Sequence, residues 1–173
     1  DAPLRDPESG DMLGHMTVYS GMGQVARPGS PATVNVNESA REILAGDILI
    51  AETVSDASNI VPHAPTQAIN GQVMGVVNGV LLVGQYQVIA INRGTNHGVE
   101  VGHVLKVREA DKSVRDRCAR IDGSGTCTRF RNETLPNEAS GSILVFKTFD
   151  RMSYALVVAE TTPIHIEDRI GNP

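Results

Sequence analysis

Residues 72–92 read Gln72-Val-Met-Gly-Val-Val-Asn-Gly-Val-Leu-Leu-Val-Gly-Gln-Tyr-Gln-Val-Ile-Ala-Ile-Asn92, and they contain the clearest fold signal in the chain. Two runs rich in branched aliphatic residues, at 72–77 and 81–92, favour β-strands because such side chains pack well on a pleated surface. The dipeptide Asn78-Gly79 between them is typical of a two-residue hairpin turn, in which both positions need positive φ. The centre of the second run is apolar on both faces, which predicts a strand buried on both sides. The stretch therefore predicts an antiparallel hairpin within a β domain.

Similar strand patterns recur along the whole chain, whereas helical periodicity is scarce. The best helical candidate is Glu38–Leu44, one or two turns with Ser39 available as a cap. The apolar residues, 40% of the sequence, are mainly aliphatic, with three Phe, three Tyr and no Trp. The fold class is therefore predicted to be mainly β, with two small β units. The further strands are expected at 12–19, 33–36, 47–51, 103–109, 141–149 and 153–160.

Proline and glycine divide the chain into these two units. Few apolar pairs occur around Pro62 and Pro65, and proline removes a hydrogen-bond donor from a strand, so a linker is predicted at 53–69. Residues 1–52 before it form a partial N-terminal β unit, and residues 70–173 form a C-terminal barrel-like domain. A long interruption at 110–139 is expected to be an insertion in that domain, and loops of that length are usually functional or mobile.

The net charge and the composition limit the classes of molecule that the chain is expected to bind. The net charge of −5 argues against a nucleic-acid partner, because nucleic-acid binders present a basic surface to the phosphates. No apolar run approaches the roughly 18 residues of a transmembrane helix. The chain has no initiator Met and no signal-like segment, so we expect Asp1 to be an internal start.

Two cysteines, Cys118 and Cys127, lie close together in a Gly- and Ser-containing stretch. A disulfide between them is the simplest interpretation, and it would indicate an oxidising compartment. So short a loop gains roughly 2–3 kcal/mol at best, so the bond would order the loop rather than hold a domain together. Two free thiols in a reducing cytosol, or a metal site, are the alternatives; no second Cys or His stands at ligand spacing.

Basic residues concentrate in the same region, where the window 106–131 holds eight of the fifteen Lys and Arg residues. In an acidic protein this asymmetry indicates a loop that contacts an anionic surface, such as an acidic protein, wall carboxylates or lipid phosphates. The alternative interpretation is a solvated long loop. The proposed partner contacts are Arg115, Arg117, Arg120, Arg129 and Arg131.

Catalytic motifs are not recognisable in the sequence. It contains no nucleophile elbow, no phosphate-binding glycine motif and no His-paired cysteine. The five histidines have no metal-binding spacing, although His97 and His103 flank a turn and could approach each other. We therefore expect no enzyme activity, no cofactor and no metal.

Eight short segments occur in a fixed order and cover nearly the whole chain. The segments are Arg5-Asp-Pro-Glu-Ser-Gly-Asp-Met-Leu-Gly14, Ala45-Gly-Asp-Ile-Leu49, Pro62-His-Ala-Pro65, Val83-Gly-Gln-Tyr-Gln-Val88, Asn92-Arg-Gly94, Gly98-Val-Glu-Val-Gly-His-Val-Leu105, Phe149-Asp-Arg-Met-Ser-Tyr-Ala-Leu-Val157 and Pro163-Ile-His-Ile-Glu-Asp-Arg-Ile170. Their order and separation together are fairly specific. They resemble the C-terminal region of a family, the LysM-containing secretin-associated proteins of type IV pili.

The resemblance implies a periplasmic domain that associates with the outer-membrane secretin, while a LysM module absent from this chain binds peptidoglycan. Because secretins are rings, it also implies a cyclic arrangement of copies around the ring. The C-terminal half is more distantly similar to the C-terminal domain of a flagellar assembly protein, which has a small barrel of the SH3-like kind. The insertion at 110–139 departs from the family pattern, so family contacts do not carry over to it.

Two other functions compete with secretin docking. The first is a stand-alone peptidoglycan-binding module, for which the sequence offers few of the aromatic platforms that glycan-binding surfaces usually present. The second is a cell-wall hydrolase remnant, which no catalytic motif in the sequence supports.

Overall fold

The computed structural model of the chain describes residues 2–52, 59–76, 83–111, 113–121 and 127–173, and only the backbone of residues 2, 117, 119–121 and 127–130. A 3₁₀ turn, Thr95–His97, accompanies twelve strands in these ranges. The strands are β1 (Ala2–Arg5), β2 (Met12–Met16), β3 (Gly21–Arg27), β4 (Thr33–Ser39), β5 (Asn70–Val76), β6 (Val88–Ile91), β7 (Val104–Arg108), β8 (Ser113–Ile121), β9 (Cys127–Thr134), β10 (Ala139–Thr148), β11 (Ser153–Glu160) and β12 (Arg169–Gly171).

Six of the strands close into a barrel in the order β10-β11-β6-β5-β12-β7. All neighbours pair antiparallel, and the short strand β12 bridges β5 and β7, with Ile170 opposite both Gly71 and Val107. Alternate residues point into a barrel, so β10 contributes Ile143 and Val145 to the interior. The predicted fold class, mainly β with a small C-terminal barrel, is therefore confirmed.

Among the described residues, the barrel interior is filled by aliphatic side chains, most of them branched, and contains no aromatic side chain. The χ1 angle of a β-branched residue is already restricted in the unfolded chain. Burial of such a side chain in a strand therefore costs little side-chain entropy. The fully buried residues of the interior include Ile69, Val73, Val83, Ile89, Ile91, Val99, Leu105, Val107, Ile143, Val145, Val157 and Ile164.

A second, smaller core lies outside the barrel, where the hairpin of β1 and β2 covers β5, β6 and β11. Leu4 packs with Met74, Ala90 and Met152, and Leu13, Met16 and Tyr154 lie against them. Strands β5 and β6 are therefore buried on both faces, and for β6 this confirms the prediction made for the centre of the run at 81–92.

Polar contacts attach the turn of the first hairpin to the barrel. The side-chain amide of Asn92 donates to Asp6 at 2.7 Å, and Arg93 pairs with Glu8 at 2.8 Å. Burial alone raises the pKa of Asp6, but the hydrogen bonds from Asn92, the Glu8 amide and Ser9 outweigh it and lower that pKa. The Asp6 carboxylate therefore stays ionised at neutral pH and holds the hairpin in place.

Two further hairpins stand apart from the barrel sheet. Strands β3 and β4 form one two-stranded sheet, and β8 and β9 form another. Strands β1 and β2 pack on the barrel through the second core, whereas none of residues 17–52 is buried. The boundaries at 1–52, 53–69 and 70–173 stay a prediction. None of the helical segments in the described ranges has the length and apolar composition needed to span a lipid bilayer.

Two local predictions in the N-terminal part are wrong. Residues 38–44 form no helix: Glu38 and Ser39 end β4, and the amides of Ala40 and Arg41 donate to the carbonyl of Ser20. So short a segment cannot repay helix nucleation without tertiary packing. Residues 47–51 form no strand, because Asp47 instead closes a turn by accepting from the Leu44 amide at 3.0 Å.

Two predictions in the C-terminal domain also need correction. The interruption at 110–139 is not an irregular loop, since most of it forms the β8–β9 hairpin. The sequence does not indicate these strands, because a ladder of backbone hydrogen bonds can form without alternating apolar residues. Strands β5 and β6 do pair, but Val76 lies opposite Ile89, whereas a tight Asn78-Gly79 turn would place it opposite Leu81. The turn itself lies outside the described residues.

Candidate functional site

The most exposed apolar surface belongs to residues 18–50, which we call the apolar segment. Its three most exposed members, Ile48, Leu49 and Ile50, are between 70% and 76% exposed. Contiguous exposed apolar residues on a folded protein usually mark an interaction site. The large apolar side chains exposed in this segment are Val18, Tyr19, Met22, Val25, Val36, Ile43, Leu44, Ile48, Leu49 and Ile50.

The β3–β4 hairpin forms the regular part of the apolar segment. Val25 lies opposite Val34, and Gly23 lies opposite Val36, so the valines share one face of a two-stranded sheet. Side chains at Gly21 or Gly23 would collide with the β4 backbone, which explains the close approach of the two strands there. An isolated two-stranded hairpin is at best marginally stable in water, so a partner that covers this face would stabilise it.

The β8–β9 hairpin, which we call the basic hairpin, carries the arginines singled out in the sequence. Arg115 is exposed, and Arg131 is exposed and pairs with Glu133 at 3.0 Å. The side chains of Arg117, Arg120 and Arg129 lie outside the described part, but the backbone register places Arg120 opposite Arg129. The hairpin therefore brings basic positions of two strands, β8 and β9, onto one two-stranded ribbon.

The two cysteines belong to this ribbon as well. Cys118 lies in β8 and is not a free cysteine, while Cys127 begins β9 and its side chain lies outside the described part. The disulfide between them stays a prediction.

A pocket of about 350 Å³ opens between β2 and the β10–β11 turn, beside an aromatic cluster that the sequence reasoning missed. Tyr154 stacks on Phe146 at 6.5 Å and meets Phe149 edge-on at 5.9 Å. Burial raises the pKa of Tyr154, so its phenol remains protonated. The sequence does contain a sign of this cluster, because Phe146 and Phe149 precede a short turn between two strands and Tyr154 follows it. The lining also includes His15, Asp150 and Arg151.

A second missed cluster joins His63, Glu100 and His103. The amide of His63 donates to the Gly102 carbonyl at 2.9 Å, and the amide of Val104 donates to the His63 carbonyl at 2.8 Å. This parallel bridge places the two histidine rings 4.8 Å apart at an angle of 68°. A proline-containing segment is thereby fixed to the start of β7.

Glycine at position 102 allows this approach. It has a φ of +98°, and the amide of His103 bonds the carbonyl of Glu100 across the turn that Gly102 completes. A β-carbon at Gly102 would lie 2.6 Å from the Val61 carbonyl and 2.9 Å from the His63 ring. The turn therefore places the two side chains of Glu100 and His103 next to the ring of His63.

His97, which the sequence paired with His103, takes no part in this cluster. Its Nδ1 accepts from the amide of Gly94 at 3.2 Å within the 3₁₀ turn. Burial lowers the pKa of His97, and the positive charges of Arg93 and Arg151 lower it further. His97 is therefore neutral at neutral pH and caps its own turn.

No protein-family model matches this chain. No curated protein matches it either.

Proposed function

We propose that this chain is a non-catalytic periplasmic docking domain that associates with the outer-membrane secretin of type IV pili. The observation that carries the proposal is the apolar segment, in which residues 18–50 expose ten large apolar side chains and bury none. The choice of the secretin as the partner rests on the eight segments that resemble the secretin-associated family. In that family a LysM module binds peptidoglycan, and that module would anchor the secretin to the cell wall.

Energetics favour the apolar segment as the main contact. Full burial of a Leu or Ile side chain contributes about 1.5–3 kcal/mol, so covering a few of these residues supplies a useful part of a binding free energy. A standard interface covers roughly 20–30 residues on each partner, which the apolar segment can provide. The free edges of β3 and β4 also allow a strand of the partner to pair with them.

The basic hairpin complements this contact electrostatically. Exposed charges at the rim of an interface accelerate association more than they raise affinity, and salt screens them. We therefore assign Arg115, Arg117, Arg120, Arg129 and Arg131 to steering toward an acidic face of the secretin. A ring partner would place several copies in a cyclic arrangement, in which neighbouring copies could contact each other.

Replacing those five arginines with glutamine is expected to slow association with detergent-extracted secretin by about 10-fold at low salt. The effect should shrink as salt rises, because screening already weakens the wild-type attraction. Surface plasmon resonance at two salt concentrations measures both quantities. The glutamine variant keeps the hairpin and both cysteines, so any change in its association rate reports the loss of charge and not the loss of the hairpin.

A second variant, in which residues 112–131 are replaced by a short Gly/Ser turn, tests the hairpin itself. We expect it to bind as the glutamine variant does, because the apolar segment is intact. Complete loss of binding in this variant alone would make the hairpin backbone the principal contact and would contradict the assignment to the apolar segment.

The aromatic cluster favours a second candidate function, a stand-alone peptidoglycan-binding module. Phe149 is exposed beside the pocket, with Lys147 5.5 Å from its ring centre. Aromatic faces stack on sugar rings, and the polar groups of Asp150 and Arg151 in the same pocket could hydrogen-bond glycan hydroxyls. This patch is small beside the apolar segment, so it ranks second.

A further inference from the structure

We propose that His63, Glu100 and His103 bind a divalent transition-metal ion of the Zn²⁺ class. One ligand atom from each of the three residues lies within 4.8 Å of the other two. The site lies where residues 61–64 meet the start of β7, and it shares no residue with the apolar segment or the basic hairpin. It is independent of the proposed docking function.

The donor set selects the kind of ion. Two imidazoles and one carboxylate match the combination found in zinc sites that keep a position open for water. Imidazole suits Zn²⁺, Cu²⁺, Ni²⁺ and Fe²⁺, whereas Mg²⁺ and Ca²⁺ prefer oxygen ligands. The three residues therefore favour a transition-metal ion over the common alkaline-earth ions.

His63 is already oriented as a ligand. Its Nδ1 lies 3.0 Å from the carbonyl oxygen of Val61, which can only accept a hydrogen bond, so Nδ1 carries the ring hydrogen. The lone pair of Nε2 is then available to a metal. A hydrogen bond from the other ring nitrogen to a backbone carbonyl is the usual support of a metal-binding histidine.

His103 is the rigid member of the site. Its side chain is 4% exposed, and its Nδ1 accepts from the Glu100 amide at 3.1 Å. Metal binding through Nδ1 ends that hydrogen bond. Binding through Nε2 moves the ring hydrogen to Nδ1, which then can no longer accept from the Glu100 amide. The loss of this hydrogen bond is a cost of binding, so the affinity should be lower than that of a fully preorganised structural zinc site.

The exposed members of the site supply the movement that coordination needs. Zinc–nitrogen bonds of about 2.0–2.1 Å place neighbouring ligand atoms roughly 3.3 Å apart in a tetrahedron. The ligand atoms must therefore approach each other by about 1.5 Å. His63 and Glu100 are both exposed, so rotation of their side chains can close the site around the buried ring of His103.

An imidazole binds a metal ion through a ring nitrogen that carries no proton. Burial lowers the pKa of His103, the nearby His63 lowers it further, and Glu100 partly opposes them. His103 is consequently neutral at neutral pH and offers a lone pair. Binding should weaken in acid, where protons compete for the imidazole nitrogens.

Isothermal titration of the chelator-treated chain with Zn²⁺ at neutral pH tests the site. We expect one ion per chain, bound at least about 10-fold more weakly by the His63→Gln and Glu100→Gln variants. Loss of a residue that only hydrogen-bonds a metal ligand already has an effect of that size. The matched control is His15→Gln, which removes an exposed histidine of β2 and should leave binding unchanged. Both test residues are exposed, so thermal unfolding in excess chelator should be the same for all variants.

Two outcomes would overturn the proposal. One is the absence of saturable Zn²⁺ binding by the wild-type chain. The other is equal binding by the wild type and by both the His63→Gln and Glu100→Gln variants, which would place the ion elsewhere.

Discussion

Replacement of Ile143 by alanine is expected to lower the free energy of unfolding by about 2–5 kcal/mol. Ile143 is fully buried at the centre of β10, where it lies opposite Leu105 of β7 and Val157 of β11. All three side chains belong to the interior of the barrel, so the deletion leaves a cavity that closed strands cannot fill. Urea denaturation followed by circular dichroism measures the loss.

Ile48→Ala is the matched control, because it makes the same change on a side chain that is 70% exposed. Surface substitutions usually stay within about 0.5 kcal/mol, so we expect no measurable loss. If Ile48→Ala were as destabilising as Ile143→Ala, the apolar segment would pack inside its own chain. It would then have no surface to offer a partner.

Gly94→Ala is the second substitution with a large expected effect, a loss of roughly 1–3 kcal/mol or more. A β-carbon at Gly94 would overlap the carbonyl oxygen of Phe149 and lie 2.7 Å from the carbonyl group of Asp150. Those carbonyls accept from the amides of Thr95 and Asn96 at 2.9 and 3.0 Å. The backbone would have to move, and both hydrogen bonds would lengthen.

Gly14→Ala provides the comparison for Gly94→Ala. At Gly14 a β-carbon would meet only the Met152 sulfur at 3.7 Å, an ordinary contact. Because alanine also restricts the unfolded chain, this substitution should be neutral or slightly stabilising. Thermal unfolding of both variants checks the pair; an equal loss at the two sites would mean that close backbone approach is not what requires Gly94.

The barrel could be predicted from the sequence because its signal is local. The runs at 72–77 and 153–160 carry branched or alternating apolar residues, and the barrel strands β5 (Asn70–Val76) and β11 (Ser153–Glu160) form there. Even the burial of Val88–Ile91 on both faces follows from its continuous apolar pattern. A pattern of this kind reports how a residue meets its immediate neighbours, which suffices for the fold class.

Features that depend on long-range pairing could not be predicted. His63 reaches His103 only through a parallel bridge between distant segments, so no spacing in the sequence marks the cluster. The register of β5 with β6 does not match a two-residue turn at Asn78-Gly79, because Val76 lies opposite Ile89 in the closed barrel. The basic hairpin lacks apolar alternation, so its strands carry no periodic signal.

The apolar segment shows a different limit. Its residues Ile43, Leu44 and Ile48–Ile50 are as apolar as those of the barrel, and the sequence predicts a helix at 38–44 and a strand at 47–51 within a β unit. In the structure they are exposed. An apolar run indicates that a surface will be covered, but it does not say whether the cover comes from the same chain or from another one.

The most direct test of the docking proposal is a two-arm pull-down of the wild-type chain. One arm uses detergent-extracted type IV pilus secretin, and the other uses purified peptidoglycan sacculi. We predict retention on the secretin that is lost in an Ile48→Ser/Leu49→Ser/Ile50→Ser variant of unchanged stability, and no retention on sacculi. Retention on sacculi without any on the secretin would contradict the proposal and favour the aromatic pocket as the functional site.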